Sequence, residues 1–202
     1  MGMTALAPGD RDRLFAEIRG CTRCAAELPR GPRPVLRGLP SARLLIISQA
    51  PGTRVHETGL SFNDRSGDRL RQWLGIDREA FYDENRVAIL PMGFCYPGRH
   101  PQGGDLPPRP ECAPLWHRRA LAAWPGIALT LLVGSYAIDY YLAGREKPTM
   151  TETVRAWRDY LPDYLPLPHP SWRTMVWEKR NPWFGAEVLP ELRRRVDGLL
   201  RG

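Results

Sequence analysis

Lysine is nearly missing from this 202-residue chain: of its 29 basic residues only Lys147 and Lys179 are lysines. The rest are arginines, whose planar fork grips phosphate bidentately, so a net charge of +7 and a pI near 9.6 make nucleic acid the natural partner. A coding bias toward arginine on a solvated surface gives the same composition. No apolar run approaches a membrane span, and no signal-peptide pattern opens the chain, so a soluble protein of the reducing cytoplasm is expected. Repeats and low-complexity tracts are also lacking. The length suits a single domain over residues 1–202, expected to be monomeric, with enough apolar content, 43%, for a substantial core.

Cysteine is scarce too, and its four positions are informative. Cys21 and Cys24 form a C-x2-C pair, and Cys95 and Cys112 follow at wider spacing among Pro and Gly. Two disulfides fit poorly with a chain of this length and compartment. A thioredoxin-like redox pair would follow a first strand, whereas Cys21 precedes the first convincing one. The spacing therefore reads as one four-sulfur metal site, for zinc or for an iron-sulfur cluster.

The order of elements follows from periodicity and punctuation. A short amphipathic helix, Arg11 to Arg19, puts Leu14, Phe15 and Ile18 on one face, and an irregular Pro-rich wrap runs from Pro29 to Pro40. Leu44 to Ile47, Val87 to Leu90 and Ala128 to Val133 are continuous apolar runs, as in strands buried on both faces, and Tyr164 to Leu167 is a last short strand. Between and after them the pattern predicts a helix capped by Asp64 or Ser66 and closed by Gly75. Further helices are predicted at Arg78 to Tyr82, Glu111 to Trp124, Ser135 to Leu142, Thr151 to Tyr160 and Pro182 to Leu200. Alternation of this kind predicts an α/β fold, three layers α/β/α around a central, mainly parallel four-stranded sheet.

In such sheets ligands bind beyond the carboxyl ends of the strands. Three segments stand there: Ser48-Gln49-Ala50-Pro51-Gly52, Pro91 to Cys95, and His169-Pro170-Ser171. The first lacks both G-x-x-x-x-G-K-[ST] and G-x-G-x-x-G, so it is a tight turn and not a phosphate loop. Its glycine permits close backbone approach, and the amides of Gln49 and Ala50 can aim at a ligand carbonyl. Phe62, among polar neighbours, suits stacking on a planar ring. His169 between two prolines is a rigidly held imidazole able to donate to a developing oxyanion, while His117 and His100 read as surface or positioning residues. Downstream, Trp172 to Phe184 interleaves aromatics and Met with Arg and Lys. That pattern suits contact with a DNA groove and its phosphates through Ser171, Trp172, Arg173 and Arg180, or packing of the last helix by tryptophan.

In their joint order, Cys21-x2-Cys24, Ser48-Gln49-Ala50-Pro51-Gly52, Gly59-Leu60-Ser61-Phe62, Cys95, Cys112 and His169-Pro170-Ser171 resemble the uracil-DNA glycosylase superfamily, most closely its iron-sulfur families 4 and 5. The resemblance runs from about Leu14 to Val196. It implies a four-iron, four-sulfur cluster on the four cysteines, and excision of uracil or another deaminated base from DNA. The flipped base would stack on Phe62 and be held near Gln49, Ala50 and Gly52, with His169 stabilising charge on the leaving base.

Two departures stand out. Relatives carry a carboxylate in the first turn, where this chain has Gln49 and Ala50, and an Asn before the third cysteine, where it has Leu90 and Pro91. Proline cannot read a base edge, so a relaxed base preference, extending to hypoxanthine, is expected. Replacement chemistry is sought in His56, Glu57, Asn63 or Asp64. The rival readings are a DNA-binding protein of the same fold with little activity, and a zinc-ribbon-like module.

Overall fold

The computed structural model describes residues 6–201. Helix α1 (Pro8–Arg19) begins three residues earlier than the sequence pattern suggests, because proline fits a first helical turn whose N–H groups have no partner. Its Leu14, Phe15 and Ile18 are buried in the main core as expected. After a 3-10 turn at Ala25–Glu27, strand β1 (Leu44–Ser48) leads into α2 (Thr53–Thr58), α3 (Arg65–Leu74) and α4 (Arg78–Tyr82). Strand β2 (Val87–Pro91) precedes the long Gly/Pro loop, and α5 (Cys112–Leu121) follows it. Then come β3 (Leu129–Val133), α6 (Ser135–Leu142), α7 (Met150–Arg155), β4 (Tyr164–Leu167), α8 (Thr174–Arg180) and α9 (Leu189–Arg201).

The sheet is four-stranded and parallel throughout, in the order β2-β1-β3-β4. Every residue of β1, β2 and β3 is buried, which is why these strands read as unbroken apolar runs: helices cover both faces and leave no wet side. The outer edge of β2 does not stay open. The Pro-rich wrap folds over it, and Arg37 and Ile89 exchange both backbone hydrogen bonds, at 3.1 and 2.9 Å. Gly38 makes this closeness possible. Its φ is +130°, and a Cβ there would lie 2.6 Å from that of Ala88.

Two expectations need correction. Thr151 to Tyr160 is not one helix. A capping box of Thr149 with Glu152 starts α7, which stops at Arg155, and a 3-10 turn covers Trp157–Tyr160. The closing helix is likewise broken by a π-helical turn at Phe184–Val188. Of the two readings of the segment after His169, packing holds for most of it, since α8 (Thr174–Arg180) occupies it. Trp177 and Trp183 pack edge-on against Phe184 at 5.3 and 6.3 Å between ring centres, so they are packing residues. Trp172 alone of the three is exposed, at 72%. Among the described residues no helix is long and apolar enough to cross a membrane.

Candidate functional site

A cavity of about 520 Å³, partly open to solvent, lies beyond the carboxyl ends of β1, β2 and β4. Ser48 through Gly52 form one wall, and Phe62, Asp64, Pro91 and His169 also line it. The turn after β1 is fixed against the segment after β2. The N–H of Met92 donates to the Ser48 carbonyl at 2.7 Å and that of Gly93 to the Gln49 carbonyl at 3.0 Å. Parallel pairing thus continues past the strands and commits these carbonyls.

Phe62 is held in an unusual backbone state. Its φ is +56°, a left-handed conformation that bulky residues rarely adopt. Asp64 caps α3 by accepting from the Gly67 N–H at 2.9 Å, which brings the first turn of α3 beneath the Phe62 carbonyl. A Cβ on Gly67 would sit 1.7 Å from that carbonyl oxygen. Tyr82 adds a second clamp, its hydroxyl donating to the Ser61 carbonyl at 2.9 Å. The Phe62 ring meets Phe81 edge-on at 5.9 Å, leaving it as a buried wall of the cavity.

His169 leaves β4 and packs across the end of β3. Gly134, with φ +91°, would place a Cβ 3.4 Å from that of His169, so the histidine fits where the chain has no side chain. The Ser171 N–H and the buried Thr174 hydroxyl both donate to the His169 carbonyl. Burial pushes the imidazole below its usual titration range, with the Asp64 carboxylate opposing that shift. It is neutral at physiological pH, and a neutral ring can still donate one N–H.

Two cavity residues escaped the sequence reading. Asp105, from the Gly/Pro loop, brings an acid to the turn that has none of its own: a Cβ on Gly52 would lie 3.2 Å from its Oδ2. Asp105 is open to solvent on one side, yet partial burial raises its pKa. Arg99 opposes that shift and Asp64 adds to it. Ser61 is the other. It is buried, and its Oγ has no hydrogen-bond partner among the described residues.

The remaining candidates separate. His56 does not line the cavity. It sits on α2 against Tyr96, 5.9 Å between ring centres, with Nδ1 buried and unpartnered, and burial and two arginines lower its pKa. Asn63 is turned away as well, its Oδ1 accepting from Arg78 at 3.0 Å. Neither is placed to touch a ligand there. Trp172, Arg173 and Arg180 are exposed, Ser171 half-buried, and the Arg173 guanidinium reaches the tip of the Asp105 loop, 3.9 Å from a Cβ position on Gly104.

Cys21, Cys24, Cys95 and Cys112 line a second cavity of about 430 Å³ with Leu28 and Phe94, and none is in a disulfide. Burial and the nearness of the other cysteines push the Cys112 thiol up to about 12 and raise Cys95. Among the described residues no three His, Cys, Asp or Glu side chains stand close enough to hold one metal ion. The two cavities share a wall: the Phe94 N–H points at the Cys112 sulfur, 3.4 Å away, and neighbouring Gly93 binds Gln49.

His117, read as a surface or positioning residue, is in fact 1% exposed. Its Nε2 donates to the Pro91 carbonyl at 3.0 Å, so Nδ1 accepts from the Tyr141 hydroxyl at 2.7 Å. It stacks on Phe94 and fixes the floor of the first cavity from behind. The family model described as Uracil DNA glycosylase superfamily matches residues 37–193, well over half of the chain.

Proposed function

The chain belongs to the uracil DNA glycosylase superfamily, and we propose that it hydrolyses the N-glycosidic bond of uracil, and of other deaminated bases such as hypoxanthine, in DNA. One observation carries this reading: a single cavity at the carboxyl edge of the sheet joins the Ser48–Gly52 turn, the Phe62 ring and the His169 imidazole. A base extruded from the duplex stacks on Phe62, and amides of the turn meet its carbonyl. As the glycosidic bond breaks, the electron pair passes to the base and negative charge grows on its O2. The neutral His169 N–H donates to that oxygen and stabilises the leaving group.

Base selection follows from what lines the floor. Pro91 offers no donor, whereas the unpartnered Ser61 hydroxyl can donate to a carbonyl or accept from a ring N–H. An ambident hydroxyl tolerates more than one base edge, which supports a relaxed preference. Exposed Trp172, Arg173 and Arg180 follow His169 in the chain and are available to the groove and phosphates.

In the same reading the four cysteines hold a four-iron, four-sulfur cluster, as the resemblance to the iron-sulfur families 4 and 5 implies. Four thiols around one cavity, none of them in a disulfide, are the ligand set that such a cluster takes. Bound there, the cluster supplies a structural staple, and the residues of the first cavity carry the reaction. Residues 1–202 act as one domain in this reading, because α1, ahead of the matched region, contributes Leu14, Phe15 and Ile18 to the same core.

The test is a panel of oligonucleotides, single- and double-stranded, each holding one uracil, hypoxanthine or xanthine, followed by alkali to cut abasic sites. Scission at the altered base is expected, and His169→Ala should slow it by about 10²–10³-fold. A wild-type protein that binds these DNAs but releases no base would leave only the DNA-binding reading standing. Equal rates for wild type and His169→Ala would remove His169 from the mechanism.

A further inference from the structure

We propose that Asp105 is the general base of the reaction, a carboxylate delivered to the turn after β1 by the loop between the third and fourth cysteines. The inference rests on the hydrolytic reading above and names the group that activates water within it.

The turn has only Gln49 and Ala50 where an acid would act, but the cavity does contain two carboxylates, Asp64 and Asp105. They are not equivalent. Asp64 Oδ1 is committed to the Gly67 N–H, an anchor that the first turn of α3 requires. Asp105 makes no side-chain hydrogen bond or ion pair with any described residue, although Arg99 is its partner in an isolated antiparallel bridge. That bridge, with the His100 N–H donating to Gly104 and the Leu106 N–H to Gly98, fixes the loop on both sides of Asp105. The carboxylate is therefore held in place by backbone while its oxygens remain free to accept.

Its position suits the task. Oδ2 lies against Gly52, one residue past Pro51, and a side chain at that glycine would crowd it. His169 closes the same cavity as the group that meets the base. The groups facing Asp105 are Asp64 and His169 in the cavity, Arg99 on its own loop, and Arg173 near the loop tip. In the step proposed, a water oxygen forms a bond to C1′ of the deoxyribose as the C1′–N bond breaks. The bonding pair leaves with the base, and the water proton passes to Asp105. The products are a hemiacetal abasic sugar and a base anion held by His169. The proton on Asp105 then returns through solvent to the base.

Asp105→Asn keeps shape and removes the charge. Its single-turnover base release should fall at least 100-fold, the size of a general-base contribution, with affinity for an abasic-analogue duplex within threefold of wild type. Because Asp105 lies on a surface loop, the melting temperature should not move. Asp105→Glu, which restores the charge, should recover part of the rate. A rate within threefold of wild type for Asp105→Asn would overturn the assignment, as would a loss of rate matched by an equal loss of DNA affinity. If wild type itself releases none of the bases tested, both this assignment and the glycosylase reading fall. If wild type is active and His169→Ala is slow while Asp105→Asn is not, only this assignment falls.

Discussion

Phe62 is an aromatic residue at φ +56°, and the cost of that backbone is met by what surrounds it. Its carbonyl rests on the bare Cα of Gly67, so the glycine is dictated by packing: a Cβ would meet the oxygen at 1.7 Å, and the obstacle is backbone that cannot swing aside. Gly67→Ala must either displace the Phe62 loop or pull apart the Asp64 cap. It is expected to destabilise the fold by about 3 kcal/mol, at the upper end for overpacking, as measured by urea unfolding. Base release should fall with it, since Phe62 and Asp64 both line the cavity. An alanine variant of unchanged stability and activity would show that Phe62 is not held in this way. Residues such as Phe62 and His169 are legible in sequence because each sits in a short local motif. Asp105 and Ser61 are not, because nothing local marks them. Asp105 lies in an aperiodic Gly/Pro loop, and only the tertiary course of that loop carries it to Gly52. Ser61 is one serine among many until burial leaves its hydroxyl without a partner.

Among the elements, the loop between Cys95 and Cys112 links the two cavities. Its first end is pinned by Gly93 to Gln49 and by the Phe94 carbonyl accepting from the Val35 N–H at 2.8 Å, and its last end starts α5. Asp105 lies between these ends. A cluster on the four cysteines would tie the N-terminal segment, this loop and α5 together, so its removal should act on stability and rate at once. Cys95→Ala is expected to lose iron, the visible absorption of the cluster and several degrees of melting temperature, and base release should fall as the loop loosens. An iron-free variant that melts like wild type and releases base at the same rate would contradict the staple. The strands and α3 follow from apolar runs and from Asp64 and Gly75 at the two ends. What was missed among the elements has a common physical origin. Short α2 and α8 have too few turns to show a period, and the π-turn at Phe184–Val188 breaks the period of what otherwise reads as one helix.

At the scale of the whole molecule, buried ionisable groups link the fold to pH. His117 is held neutral, its titration pushed down to about 4 by burial, while the Pro91 carbonyl it donates to opposes the shift. His169 is lowered as well. In the unfolded chain both would take up protons near pH 6.5. Between that value and the folded one the unfolded state binds more protons, so stability is fully present above pH 6.5 and declines as pH falls toward 4. For His117 alone the decline amounts to roughly 3 kcal/mol. Glu191 works in a lower window. Held between Arg194 and Arg195, its carboxyl titrates at about 2, so its contribution is intact above pH 4.5 and lost as pH falls through 2. Urea unfolding measured from pH 8 to 3 should therefore show a first loss between pH 6.5 and 4, before any from Glu191. His117→Gln should lower stability at every pH by breaking the relay from Tyr141 to Pro91, and should also flatten that first loss. If the variant keeps the full wild-type slope between pH 6.5 and 4, the acid sensitivity belongs to other groups. His117 would then be a packing residue and no brake on acid stability.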